Sequence, residues 1–397
     1  MKSRHILLLI IVSQFAGTSL WFAGNAILPD LISEMGLKLS DLGSITSAVQ
    51  AGFIIGTLIF AVTAVSDRIS PSKIFFICSI LGAVFNASIY FLPQELLSII
   101  ISRFFTGLML AGIYPVGMKI AADWYKDDLG KAIGYLVSAL VLGTAFPNLI
   151  KAFGASLDWP TVLISVSLLA SFGGILVLLF VPDGPHRHAM VKFDPKAITF
   201  LFKPGEFRSA AFGYFGHQWE LYTFWAFTPI MLARYNFIHT NDMQIPLYTF
   251  LIIASGSLGC VAGGILSRKL GSASVAWINL LISGTCILLF PIIIHLPLFF
   301  FLPYMMIWGW TVVGDSAQFS ALAATNAPKQ MIGSGLTIMN SLGFAVTIVS
   351  IYILSFIINY IDIEYAILIL LIGPAFGLYS IYPLRKQPSG LSSSKTE

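Results

Sequence analysis

Arg103, His217, Glu220 and Asp315 stand inside long apolar runs, which makes them the first candidates for chemistry. A charge near the middle of a bilayer costs about 2.5–3.5 kcal/mol even on the lenient insertion scale, so each must face a partner or water. Glu220 lies twelve residues beyond Arg208, about 18 Å along a helix and close to the centre of a roughly 30 Å hydrocarbon core. A carboxyl group there can take up and release a proton, or it can serve as a structural hydrogen-bonding group. His217, one turn away, can share that proton or pack as a satisfied core histidine. Arg103 suits an anionic substrate or an acidic counter-ion. Asp315 is placed nearer the cytoplasmic side, and Lys119 near enough to a span end to snorkel.

Polar side chains around these groups recur at helical spacing. Gln14, Thr18, Trp21 and Asn25 share one face, as do Trp308, Thr311, Asp315 and Gln318. Arg103, Gly107, Leu110 and Tyr114 make a third stripe. The segment from Tyr214 to Tyr222, with His217, Gln218 and Glu220, is polar on more than one face. Such a density of donors and acceptors suits a binding site better than a lipid contact. Trp21, Trp219, Trp225, Trp308 and Trp310 offer a stacking surface, although tryptophans also serve as packing and interfacial anchors.

The elements that position these residues follow from composition. Of 397 residues, 57% are hydrophobic and 10% charged, and the mean hydropathy is +0.87. Soluble domains carry about 25% charge, so the chain is a membrane protein. Unbroken apolar runs exclude a transmembrane barrel, whose strands alternate. Twelve spans are expected, near 5–27, 43–65, 73–92, 96–122, 129–150, 160–181, 208–233, 245–267, 272–294, 297–324, 331–358 and 363–384. Most of the 22 Lys and Arg then fall on the side of both termini, leaving Lys38, Lys151 and Arg234 opposite. The positive-inside rule makes both termini cytoplasmic. The basic, apolar amino terminus lacks a cleavage site and reads as the first span. Cys78, Cys260 and Cys286 lie in apolar runs without metal-site or disulfide spacing.

A polar connection, 182–207, separates a six-helix bundle over 1–181 from another over 208–386, and the Ser-rich 387–397 reads as a disordered cytoplasmic tail. The halves repeat at an offset of about 200 residues. Pro29 corresponds to Pro229, the Asp67-Arg68 turn to Arg268-Lys269, and Ala121-Ala122 to Ala323-Ala324.

With these motifs the chain resembles the major facilitator superfamily of secondary transporters. That family has a turn reading approximately G-x-x-x-D-R-x-G-R-R; here Asp67, Arg68 and Lys73 keep part of it, with Thr63 and Ser70 in the glycine positions. The second copy keeps Gly264 and Gly271 but has Arg268 for the Asp. Arg103, Gly107, Ala111, Gly112 and Pro115 match the family's fourth helix, whereas Gly143 to Pro147 departs from its antiporter signature. The resemblance implies an all-α membrane fold of two pseudo-symmetric six-helix bundles. It also implies that the first, fourth, seventh and tenth spans line a central cavity, and that Asp67, Arg68 and Arg268 form a conformational latch.

The resulting expectation is a secondary active transporter in the cell membrane, working by alternating access and driven by protons. Its substrate would be a small organic solute, an anion if Arg103 meets it. The substrate or coupling set would be Gln14, Thr18, Trp21, Asn25, Arg103, Tyr114, His217, Gln218, Glu220, Trp308, Asp315 and Gln318. Partners are the substrate, protons and the bilayer, with no nucleic acid and a monomeric chain. The sequence has no nucleotide-binding, HExxH or nucleophile motif, so no enzyme activity, cofactor or metal is expected. Rival readings are a proton-coupled efflux pump for amphipathic drugs and a non-transporting sensor on a transporter scaffold.

Overall fold

The computed structural model describes residues 3–93, 95–125, 129–153, 158–187, 200–203, 205–328 and 331–385. The carboxy-terminal tail and most of the connection between the halves lie outside the described residues. Across the rest the chain is helical, arranged as twelve spans. Five are single helices of the expected kind in register with their apolar runs: the second (Asp41–Thr63), third (Pro71–Phe91), sixth (Trp159–Phe180), eighth (Ile245–Leu270) and eleventh (Ile332–Ile357). The fifth (Leu129–Phe153) and ninth (Ser272–Ile293) run through internal prolines, Pro147 and Pro291. Several helices begin with proline in the first turn, where its missing N–H costs nothing, as at Pro71, Pro160 and Pro246.

The remaining spans depart from simple rods. The first was expected as one helix over 5–27; instead a helix Ser3–Thr18 ends, and the chain resumes as Ala23–Ala26 and Leu28–Met35. The fourth consists of Leu96–Leu110 and Tyr114–Trp124, with Pro115 in the first turn of the second piece. Its counterpart, the tenth, consists of Leu298–Gly314 and Ser316–Asn326, interrupted at Asp315. The twelfth has a 3-10 turn, Ile367–Leu371, before Ile372–Arg385. The seventh, Gly205–His239, is longer than the 208–233 expected and runs through Pro229. Pro29 instead starts a new helix, so the duplicated prolines have diverged in structural role.

Ten of these spans are long and apolar enough by composition to cross a membrane. The broken first and the polar seventh are not in that set. Lipid cannot solvate polar groups, so these two helices must be sheltered by their neighbours.

Within each half the spans approach closely at small residues. In the first half, Gly52 sits against the carbonyl of Phe104 and Gly107 against that of Val49, joining the second and fourth spans. Gly259 and Gly309 make the same contact between the eighth and tenth, against Trp310 and Ile252. Such packing through backbone contact is typical of helices that lack a hydrophobic drive to associate. The two halves meet along two seams. The fifth and eighth spans are joined by Ser138 Oγ, which lies 3.1 Å from the Ser257 carbonyl. In the second seam, between the second and eleventh spans, Gly43 packs on Ser355, and the Tyr352 hydroxyl lies 3.5 Å from Ser44 Oγ.

Charges at the ends pin helices within a half. Lys151 Nζ meets both carboxylate oxygens of Asp30 at 2.7 Å, tying the first span to the fifth. Arg234 holds Glu364 at 2.7 Å and Asp362 at 2.9 Å, tying the seventh to the twelfth. At the opposite face, the chain leaving the sixth span is strapped down. Ser72 Oγ donates to the Val181 carbonyl at 2.7 Å, and Ser70 Oγ to Asp183 at 2.6 Å. Arg187 donates to Asp183 at 2.7 Å and to the Ile69 carbonyl at 3.0 Å.

Gly107→Leu is expected to force the second and fourth spans apart, at a cost of about 1–3 kcal/mol for overpacking. The result is a lower melting temperature and a smaller monodisperse fraction on size exclusion, whereas Gly130→Leu, with open space around it, leaves both unchanged.

Candidate functional site

A cavity of about 780 Å³ lies between the two halves. Its walls come from the second, fourth and fifth spans on one side and the seventh, eighth, tenth and eleventh on the other. At one end it reaches exposed helix termini at Gly130, Lys131, Arg268 and Gly333. At the other it stops under an aromatic roof. Phe53 of the second span lies 4.6 Å from Phe344 of the eleventh, ring to ring. Trp21 stacks on Phe344 and meets Tyr222, both at 5.7 Å, and Phe22 packs on Trp225 at 6.1 Å. None of these six rings is more than 3% exposed. Because the roof interleaves rings from both halves, it closes that end only while the halves stay in contact there.

Cations line the cavity through Lys119, Lys131 and Arg268, and no carboxylate is among the described lining residues. Tyr114, Tyr214, Gln218, Gln318, Thr337 and Asn340 add hydroxyl and amide groups. Gln218 donates from Nε2 to the Tyr214 hydroxyl at 2.5 Å, and its Oε1 has no partner. Trp225 Nε1 is likewise buried without a partner.

Beside the cavity, and screened from it, sits a second polar group in the second half. His217 Nδ1 lies 2.8 Å from Asp315 Oδ1, and both side chains are 1% exposed. Asp315 occupies the break in the tenth span, capping one helical piece and beginning the next. Glu220 accepts from Trp308 Nε1 at 2.7 Å and from Ser283 Oγ at 2.9 Å. Together these contacts fasten the seventh span to the ninth and tenth. His217 is followed by Gln218, and Asp315 by Ser316 and Gln318, so each of the pair adjoins residues that do line the cavity.

Arg103 occupies a different place from the one the sequence suggested. Its fully buried guanidinium donates to Asn86 Oδ1 at 2.8 Å and to the carbonyls of Leu20 at 2.9 Å and Trp21 at 2.5 Å. Those carbonyls belong to the unwound stretch after Thr18. Arg103 therefore ties off the break in the first span and is absent from the cavity lining.

Of the twelve residues expected to bind or couple, the structure brings Tyr114, Gln218 and Gln318 to the cavity wall. Trp21 backs the roof. Gln14 packs on Gly117, Thr18 Oγ1 bonds the Gln14 carbonyl at 2.8 Å, and Asn25 Nδ2 bonds Thr46 Oγ1 at 2.8 Å, all within the first half. His217, Glu220, Trp308 and Asp315 form the buried group beside the cavity. Of the expected latch, the Asp67 side chain lies outside the described residues, Arg68 is exposed, and Arg268 stands at the cavity mouth. Lys131, Asn340 and Phe344 were missed, whereas Tyr222 ends the polar segment singled out in the sequence. Lys131 carried only a topogenic signal, and Phe344 sits in an apolar run where nothing marks it.

Comparison with known proteins decides the family. The profile of the Major Facilitator Superfamily matches residues 8–351. The chain belongs to the major facilitator superfamily. Among curated proteins it is 23% identical over 289 residues to a protein of Cupriavidus necator described as a probable sulfoacetate transporter, SauU. That match covers 68% of this chain and 66% of the relative, just under two thirds of its length. Among solved structures, a D323A mutant of the nucleoside transporter NupG superposes with a TM-score of 0.74 at 12% identity, covering 96% of this chain and all of NupG (100%). The human organic anion transporter MFSD10 superposes with a TM-score of 0.70 at 14% identity, over 96% and 100% of the two chains. The superfamily's two-bundle, twelve-helix fold is thus established here, as is a multi-pass membrane protein related to transporters of small solutes.

Arg103→Ala is expected to leave the carbonyls of Leu20 and Trp21 without donors, each buried unsatisfied group costing about 1–3 kcal/mol. The melting temperature should fall sharply, Arg103→Lys should recover part of the loss, and the set of stabilising ligands should stay the same. A normal melting temperature with a changed ligand set would return Arg103 to the substrate site.

Proposed function

We propose that this protein is a proton-coupled secondary transporter of small organic anions, seen with its cavity open to the cytoplasm. The observation that carries the reading is the cavity itself, built by both halves, roofed at one end and lined by the cations Lys119, Lys131 and Arg268. Cations gathered at the mouth of a cleft with apolar walls focus the field and raise the local concentration of an anion. The open end lies on the side of the Asp67-Arg68 turn and of Arg385, which the positive-inside rule assigns to the cytoplasm. The relatives' names, which include sulfoacetate and organic anions, point the same way.

Alternating access follows from the two ends. Rocking the halves would part the aromatic roof while the basic mouth closes, exposing the same cavity to the other side. Protons supply the drive through the buried group in the second half. Taking up one proton changes the net charge of the His217–Asp315 pair. Because Asp315 sits at a helix break, that change is felt where the tenth span joins the cavity wall. Glu220, held by Trp308 and Ser283 between three helices, carries the second proton site in this reading.

In proteoliposomes, Lys119→Gln is expected to raise KM for a transported anion at least tenfold with a smaller change in kcat. Asp315→Asn and Glu220→Gln should abolish accumulation driven by a pH gradient while leaving substrate counterflow measurable. Full proton-driven accumulation in both acid variants would remove the buried group from coupling. A cavity indifferent to Lys119→Gln would remove the anion reading.

A further inference from the structure

The cavity is far larger than a two-carbon anion needs, and its surfaces are sorted by polarity. Its volume of about 780 Å³ lies in the range of roughly 300–1,000 Å³ that encloses drug-sized ligands. Lys131 and Arg268 hold the mouth, with Lys119 further in on the fourth span. Between these cations and the roof the walls are apolar and only half-buried: Phe60, Met118 and Ile133 from the first half, Val261 and Leu336 from the second. These side chains face open space with carbon. The roof rings, by contrast, are packed on one another. On the seventh span, Gln218, Leu221, Tyr222 and Trp225 form one stripe along the cavity, about 10 Å long at 1.5 Å per residue. The stripe carries an unpartnered amide oxygen on Gln218 and an unpartnered indole N–H on Trp225.

We infer that the substrate is an amphipathic organic anion, an acid group at the basic mouth of Lys131 and Arg268 carrying an apolar body of up to about 10 Å that lies along the seventh-span stripe toward the roof. A compact, fully hydrated anion would leave the carbon walls wet. A body with a chain or ring covers them. This inference rests on the anion reading above and adds the body that the anion carries.

The test is a chain-length series on the purified protein in nanodiscs: acetate, butyrate, hexanoate and octanoate, with sulfoacetate and the neutral 1-hexanol. Saturable binding is measured above empty nanodiscs of the same lipid. A body buried against the walls predicts affinity rising by up to about fourfold per methylene through octanoate. Sulfoacetate and 1-hexanol should both bind at least tenfold more weakly than hexanoate. Leu336→Gln should flatten the series, whereas Lys131→Gln combined with Arg268→Gln should weaken every carboxylate by a common factor. A flat series, or sulfoacetate as tight as hexanoate, overturns the apolar body and leaves the anion reading intact. Hexanol binding as tightly as hexanoate overturns the anion reading, and with it the inference.

Discussion

A polar backbone group in hydrocarbon must find a protein partner, and this demand organises the molecule. An unbroken helix satisfies itself; a broken one needs help. The first span breaks after Thr18, and Arg103 reaches across from the fourth to accept the burden of the Leu20 and Trp21 carbonyls. That support fixes Trp21 and Phe22 where they can interleave with Tyr222, Trp225 and Phe344. The roof of the cavity is thus downstream of a hydrogen bond made entirely within the first half. In the second half the break falls at Asp315, and His217 answers it from the neighbouring span. One half meets its interruption with a permanent cation and the other with a titratable pair.

This asymmetry separates two roles. Arg103 bonds only within the first half, to Asn86 and to the carbonyls of Leu20 and Trp21. His217, Asp315 and Glu220 join the seventh, ninth and tenth spans of the second. In the proposed cycle the second half is the side that would respond to a proton, through Gln218 and Gln318, which neighbour the buried group in sequence and line the cavity.

Much of the architecture was legible because membrane burial leaves coarse marks in a sequence. Apolar runs gave the spans, and the half-length repeat pointed to the two-bundle organisation. The same sequence hid where side chains point. Arg103, Glu220 and Asp315 are conspicuous for being ionisable in apolar surroundings, but that signal is the same whether a group faces a cavity or a carbonyl. The structure resolves it: Arg103 bonds backbone, Glu220 bonds Trp308 and Ser283, and the cavity's charges are Lys119, Lys131 and Arg268, near span ends where lysine and arginine are ordinary. Helical stepping also misled for the first span, since Gln14 and Asn25 share a face only if the helix continues through residues 19–22, and it does not.

None of the described ion pairs joins the two halves: Asp30 with Lys151 lies in the first, His217 with Asp315 and Arg234 with Asp362 and Glu364 lie in the second, and Asp183 with Arg187 lies in the connection between them. The seams are made instead of serine contacts, glycine approaches and stacked rings. In the proposed cycle, motion between the halves would exchange van der Waals and ring contacts while these salt bridges stay whole. Bulk ionic strength, which screens exposed charges, would have little purchase on the described contacts of such a seam. Temperature and the lateral pressure of the surrounding lipid, which act on packing, would then set how fast it opens.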